Sequence, residues 1–310
     1  MFNKPRKQVF LAPLAGINDP AFRLMCEEQG ANATFTELTS IDFLYSEKQE
    51  ALKKILRAKK EKKVGLQLFG KNPEKIKEAM NYTENFDFID FNAGCPANNI
   101  IGQEAGADLL SKPVLLKKML QEIINNTNKP VTLKYRLGIN KNNETYLKIG
   151  KMAEDLGVSM ITLHARYADQ GYSGIANWEK IKNLKEKINI PVTGNGDINK
   201  AEKAKDMFKE TSCDHVMIGR WAMGTPWCFN QVKSYLEKNS YSTITETKKL
   251  KGFLKYVKEA KKYEVPLPRI RIQAMQFTKG IKKGAELRKN IATSKEEEQI
   301  INTITDFLIK

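Results

Sequence analysis

The chain has 310 residues, of which 41% are hydrophobic and 28% charged. That composition supports a sizeable core and excludes general disorder, and no apolar run approaches the ~18 residues that span a bilayer. Lys and Arg number 52 against 36 Asp and Glu, a net charge of +16. This points to a polyanionic partner, nucleic acid first, with a generally lysine-rich composition as the plain alternative. Residues 1–7 lack the apolar stretch of a signal peptide, so a cytoplasmic protein without membrane attachment is expected. Cys26, Cys95, Cys213 and Cys228 form no C-x-x-C pair. Neither a zinc site nor a disulfide scaffold is expected, and a reducing compartment fits. No obligate protein partner is indicated.

Short β-branched and apolar runs recur along the chain. They begin at residues 8–13, 33–37, 63–69 and 86–92, and continue at 130–135, 160–164, 190–194 and 215–219. Helical patterns lie between them, at 19–28, 73–82, 113–125, 146–156 and 200–209. Strands that alternate with helices pair in parallel through right-handed crossovers. Eight such units in about 235 residues fit a (β/α)8 TIM barrel. The competing doubly wound sheet has fewer strands and an early glycine fingerprint, and neither is seen. A polar stretch at 238–243 reads as a linker. Beyond it the pattern is helical, with apolar Leu250, Phe253, Leu254 and Val257 at 3–4 spacing. Pro266 and Pro268 separate a second helix over 270–283, and a third runs over 294–309 with Ser294 and Glu297 at capping-box spacing. The expected organisation is a catalytic barrel over 1–240 and a small C-terminal helical domain over 241–310.

Active sites of such barrels lie at the C-terminal ends of the strands. There the chain places Glu37 after strand two, Gln67 on strand three, Asn92 to Pro96 after strand four and Lys134 with Arg136 on strand five. His164 and Arg166 close strand six. Lys134 follows three apolar-run residues, so it is either paired and used beside a cofactor ring or lies just past the strand end in water. Gly194-Asn195-Gly196-Asp197 and Gly219-Arg220 follow strands seven and eight, where barrels bind phosphate on exposed amides. The alternative is two ordinary glycine turns. A phosphorylated cofactor is the implication, and the absence of a G-x-G-x-x-G pattern argues against a Rossmann site. Cys95, between glycine and proline on a loop, suits a reactive thiol, whereas Cys26 and Cys213 read as structural. His164 faces the rim and His215 the opposite, stability side. No metal site is expected.

From residue 241 onward there are 16 Lys/Arg and 8 Asp/Glu, a net of +8. Arg269, Arg271, Lys279, Lys282, Lys283, Arg288 and Lys289 dominate, beside Phe277 and two glycines. They read as a nucleic-acid surface, with a solvated helix face as the alternative.

Taken together the motifs resemble the tRNA-dihydrouridine synthase family. The matching segments are 12–19, Gln67-Leu68-Phe69-Gly70, Asp90 to Pro96, and Leu163 to Gly174 with Trp178 beyond. Gly194 to Ile198, Ile218-Gly219-Arg220 and the tail around Phe277 to Ile281 match as well, so the resemblance covers nearly the whole chain. It implies an FMN-dependent barrel that uses NADPH to reduce uridine in tRNA to 5,6-dihydrouridine, with hydride from flavin N5 to C6 of uracil. Cys95 would protonate C5 as general acid. Gln67, Lys134 and His164 would contact the flavin, with Ala12, Pro13 and Leu14 bordering its ring. Asn195, Gly196, Asp197, Gly219 and Arg220 would hold the phosphate end. Asn92 and Arg166 would line the uracil pocket. The family often has glycine where this chain has Ala165 and threonine where it has Asn18, which leaves the subfamily open. A flavin oxidoreductase acting on a small molecule is the alternative, since such barrels share the phosphate loops.

Overall fold

The computed structural model describes Phe2, residues 7–46 and residues 55–309; most of the N-terminal run 1–7 lies outside the described residues. Nine strand segments form one parallel sheet: β1 Gln8–Leu11, β2 Thr34–Phe35, β3 Thr39–Ser40, β4 Val64–Phe69 and β5 Phe88–Ala93, followed by β6 Val131–Arg136, β7 Met160–His164, β8 Val192–Asn195 and β9 His215–Ile218. Their order is β1-β9-β8-β7-β6-β5-β4-β2, and β3 also pairs with β4. β2 and β3 are thus two pieces of one stave, which gives eight staves. The sheet closes where Phe10 bridges Ala33 and the Leu11 amide donates to the Ala33 carbonyl at 3.1 Å. The expected TIM barrel is present.

Alternation along each strand sorts the side chains. Outward residues such as Leu11, Leu66, Phe91, Leu133, Leu163 and Ile218 join the layer beneath the helices. Inward residues fill the barrel floor with Phe10, Phe35, Phe88, Met160 and Met217, and Phe2 plugs it from below. The Phe2 ring meets Phe88 edge-on at 5.2 Å. His215 Nε2 donates to the Phe2 carbonyl at 3.0 Å, so this histidine belongs to the floor, as its position at a strand start implies.

The surrounding helices follow their apolar spacing. The helix Pro20–Glu28 starts at Asp19, whose Oδ1 accepts from Phe22 N at 2.9 Å, with Pro20 in the first turn. The helix Pro113–Asn125 buries Leu116, Met119, Leu120 and Ile123, one stripe at 3–4 spacing. The stretch 73–82 is not one helix: a 3₁₀ turn Pro73–Lys75, a short helix Ile76–Ala79 and a second turn Met80–Tyr82 divide it.

The C-terminal region departs from expectation in two ways. Four helices are present rather than three: Glu246–Ala260, Leu267–Phe277, Gly284–Thr293 and Glu297–Ile309. The expected helix over 270–283 stops at Phe277, because Gly280 (φ +78°) and Lys283 (φ +57°) turn the chain through left-handed conformations. Ser294 does not cap the last helix. It ends the preceding one, its hydroxyl donates back to the Asn290 carbonyl at 2.8 Å, and Glu297 pairs with Lys261 instead. Trp227, Phe253, Tyr256 and Phe277 form an aromatic cluster between the first two of these helices and the barrel. Among the described residues no helix is long and apolar enough to cross a membrane.

Candidate active site

The inward side chains above the apolar floor are polar, and they meet at the C-terminal rim. Parallel register sets Gln67 opposite Asp90, Asn92 opposite Lys134, and His164 opposite both Arg136 and Asn195. Asp90 is fully buried; Thr132 Oγ1 and Gln67 Nε2 each donate to its carboxylate at 2.6 Å. Burial pushes its pKa up to about 6, against the opposing pull of those two bonds and of Lys134. Lys134 lies partly buried with Nζ 3.4 Å from Asn195 Oδ1, and burial brings its pKa down to about 8. Its other donors have no protein partner among the described residues, so it is available to an electron-rich ligand.

The loop after β5 carries Cys95. Asn92 Oδ1 accepts from the amides of Gly94 at 3.0 Å and Cys95 at 2.9 Å. Gly94 passes so close to β6 that a Cβ there would lie 3.0 Å from Tyr135 Cα. Arg136 Nε donates to the Gly94 carbonyl at 2.9 Å, and its Nη1 reaches the carbonyls of Tyr167 and Gly171. One guanidinium thereby ties the Cys95 loop to the loop after β7. Cys95 is the partly exposed cysteine; Cys26, Cys213 and Cys228 are buried, and burial pushes their thiols up.

At the ends of β8 and β9 the backbone forms a cradle. Gly196 (φ +128°) leaves the strand with no room for a side chain: a Cβ would lie 2.7 Å from Ala176 Cβ. The amides of Gly196, Asp197, Gly219 and Arg220 have no acceptor among the described residues. Four unspent amides beside the Arg220 side chain suit an anion such as a phosphate. The structure thus fits a phosphorylated cofactor at this end; Lys134 and His164 stand on the strands between it and the Cys95 loop, and Gln67, bonded to Asn92, is fully buried.

Arg166 is buried and held from several sides, with Nη1 3.5 Å from His164 Nε2. Its Nη2 donates to both Asp197 oxygens at 2.8 and 2.9 Å and to the Gly174 carbonyl, and its Nε to the Ser173 carbonyl. Asp197 also accepts from Ala176 N at 2.7 Å and approaches Arg220 at 3.3 Å. The Asp197 carboxylate therefore anchors the loop after β7, and what it leaves toward the cradle is its amide. His164 is buried, and burial followed by Arg136, Lys134, Arg166 and Arg220 holds its pKa well below the ordinary value. It is a neutral imidazole at physiological pH.

The loop after β1, with Ala12, Pro13 and Leu14, borders the same rim and is held from two sides. Asn18 Nδ2 donates to the carbonyls of Ala12 and Phe35 at 2.8 and 2.9 Å. Glu37 Oε2 accepts from Gly16 N at 2.8 Å while its other oxygen pairs with Arg269. Of the basic tail residues, Lys279, Lys282 and Lys283 stand exposed on the turn before Gly284. Arg269 pairs with Glu37, Arg271 Nη2 donates to the Ser294 carbonyl and Arg288 Nη1 to the Thr278 carbonyl, each through one nitrogen of its guanidinium.

The rim rule therefore finds Cys95, Asn92, Gln67, Lys134, His164, Asn195 and the two glycine loops together. It misses the parts played by Asp90, Arg136 and Glu37. Asp90 was detectable, since the alternation Phe88, Asp90, Asn92 points all three inward.

A family model described as "Dihydrouridine synthase (Dus)" matches residues 10–309. The chain is 38% identical over 242 residues to "tRNA-dihydrouridine synthase B" of Pasteurella multocida, covering 76% of this chain and 71% of that protein. It is 34% identical over 234 residues to the protein of the same name in Escherichia coli, covering 75% and 73%. Over 310 residues it is 32% identical to a "Probable tRNA-dihydrouridine synthase" of Rickettsia conorii, covering 96% and 92%. Among solved structures, histamine dehydrogenase from Rhizobium sp. 4-9 superposes with a TM-score of 0.56 at 14% identity; the match covers 75% of this chain and 46% of that longer one. An old yellow enzyme homologue from Zymomonas mobilis gives a TM-score of 0.53 at 12% identity, covering 78% and 91%. These two likenesses are of fold.

Proposed function

The chain belongs to the dihydrouridine synthase family, and from that membership we propose that it reduces uridine in tRNA to 5,6-dihydrouridine. The observation that carries the reading is Cys95: a partly exposed thiol on a braced loop, on the same rim as a four-amide anion cradle.

FMN, recharged by NADPH, supplies the hydride when bound. Its phosphate suits the amides of Gly196, Asp197, Gly219 and Arg220 together with the Arg220 side chain. Lys134, with donors to spare, suits an electron-rich ring edge, and neutral His164 and Gln67 offer uncharged donors beside it. Ala12, Pro13 and Leu14 give an apolar border.

Reduction of the uracil C5=C6 bond needs one proton as well as hydride. Cys95 donates it to C5 as general acid and is left as thiolate, which solvent reprotonates. Asn92 has one N–H to spare after its bond to Gln67, and this offers a donor to a uracil carbonyl. Arg166 serves the pocket by holding its wall in place. A stacked base cannot reach a barrel mouth, so the uridine must leave its stack to react. Residues 241–310 are the proposed tRNA-binding unit, with Lys279, Lys282 and Lys283 as phosphate contacts.

The test is incubation with FMN, NADPH and tRNA lacking dihydrouridine, then digestion to nucleosides and mass spectrometry. Dihydrouridine, two hydrogens heavier than uridine, should accumulate. Its absence across a full tRNA pool would overturn the reading.

A further inference from the structure

Beneath Cys95 the hydrogen bonds form a chain with a direction, and that direction is set at the buried end. Asp90 accepts from Thr132 Oγ1 and Gln67 Nε2, each at 2.6 Å. A carboxylate has no hydrogen to give. Gln67 must therefore turn its NH₂ to Asp90 and its carbonyl away. On that far side Gln67 Oε1 accepts from Asn92 Nδ2 at 3.1 Å. Asn92 in turn must point its carbonyl onward, where it accepts from the amides of Gly94 and Cys95 at 3.0 and 2.9 Å. Side-chain amides are nearly symmetric in shape and flip when their surroundings permit. Here a flipped Gln67 would set a carbonyl against a carboxylate, and a flipped Asn92 would set an NH₂ against two backbone N–H groups.

We propose that Asp90 is a positioning residue: through Gln67 and Asn92 its carboxylate fixes the orientation of two side-chain amides, and so the seat of the Cys95 loop. Among the described residues Asp90 makes no hydrogen bond to the Cys95 loop itself; it reaches the loop through Gln67 and Asn92. Lys134, from β6, is the charged neighbour that bears on it. The consequence for turnover rests on the reading of Cys95 as the acid; the positioning itself does not.

A paired swap tests the direction. In Asp90→Asn the constraint is lost, because the new amide can donate as well as accept. In Gln67→Glu two carboxylates face each other. In the double variant Asp90→Asn/Gln67→Glu one direction returns: the amide at position 90 donates to the carboxylate at position 67, which still accepts from Asn92. The readout is iodoacetamide labelling of Cys95, located by mass spectrometry on the full chain, with and without FMN. Asp90→Asn should label about fivefold faster than wild type. Gln67→Glu should lower the thermal midpoint by about 5 °C or more. The double variant should return to within about twofold of the wild-type rate and recover most of the midpoint. Wild-type labelling in Asp90→Asn, or a double variant as impaired as the two singles combined, would overturn the proposal. Should Asp90→Asn fail to fold, recovery of folding by adding Gln67→Glu still decides it. If the swap recovers labelling while wild type makes no dihydrouridine, the functional reading fails and the positioning role stands.

Discussion

Cys95 is the cysteine that solvent reaches, while the other three thiols are buried and pushed up by that burial. A proton donor at the rim has to be reachable and held, and Cys95 is both, through its partial exposure and the grip of Asn92 on its amide. Replacing it separates two steps. Cys95→Ala should leave flavin reduction by NADPH within about twofold of wild type, while uridine reduction falls by about 10² to 10⁴. Rapid-mixing absorbance of each half-reaction measures this, and an equal fall in both would mark Cys95 as structural. The residues of this site were legible as far as they sit at strand ends: Gln67, Asn92, Lys134 and His164 all follow from that rule. The alternation also puts Asp90 and Arg136 on the inward face, but what they do there was not legible, because it depends on partners across the register of β4, β5 and β6 and on loop carbonyls near residues 167–171.

Polar contacts, two of them buried, link the C-terminal helices to the barrel. Tyr256 donates to Asp19 Oδ2 at 2.8 Å, Gln273 Nε2 to the Ile17 carbonyl at 2.8 Å, and Arg269 pairs with Glu37. All three lead to the loop after β1 or its neighbours, so the helices support the segment that borders the proposed ring site. Tyr256→Phe keeps the aromatic cluster but leaves a buried carboxylate oxygen without its donor. It should cost about 1–3 kcal/mol of stability, read from urea unfolding. An unchanged midpoint would mean that the docking does not depend on this bond. Element by element, the strands were legible because buried parallel strands are continuous apolar runs. The helix Gly284–Thr293 was not, because it starts from left-handed Lys283 with no side-chain cap, and so lacks the usual signal. Ser294 misled for a related reason: its side chain bonds backward, to the helix it ends.

Across the whole molecule, charge and chemistry are divided. Half of the +16 net charge lies beyond residue 240, where Lys279, Lys282 and Lys283 are exposed, while the barrel rim carries the reactive groups. The bulk arithmetic of the sequence showed that division, but which basic residues also serve the protein's own contacts was hidden: Arg269, Arg271 and Arg288 each give one nitrogen to them. The division has a kinetic signature, because phosphate contacts release counterions and make binding to tRNA salt-dependent. The most direct test is a single turnover: protein loaded with FMN and reduced by NADPH is mixed with tRNA lacking dihydrouridine or with free uridine, at a series of salt concentrations. With tRNA the flavin should reoxidise without oxygen as dihydrouridine forms in equal amount, more slowly as salt rises, and free uridine should do little. Reoxidation by free uridine as fast as by tRNA, or by tRNA without dihydrouridine, would contradict the account.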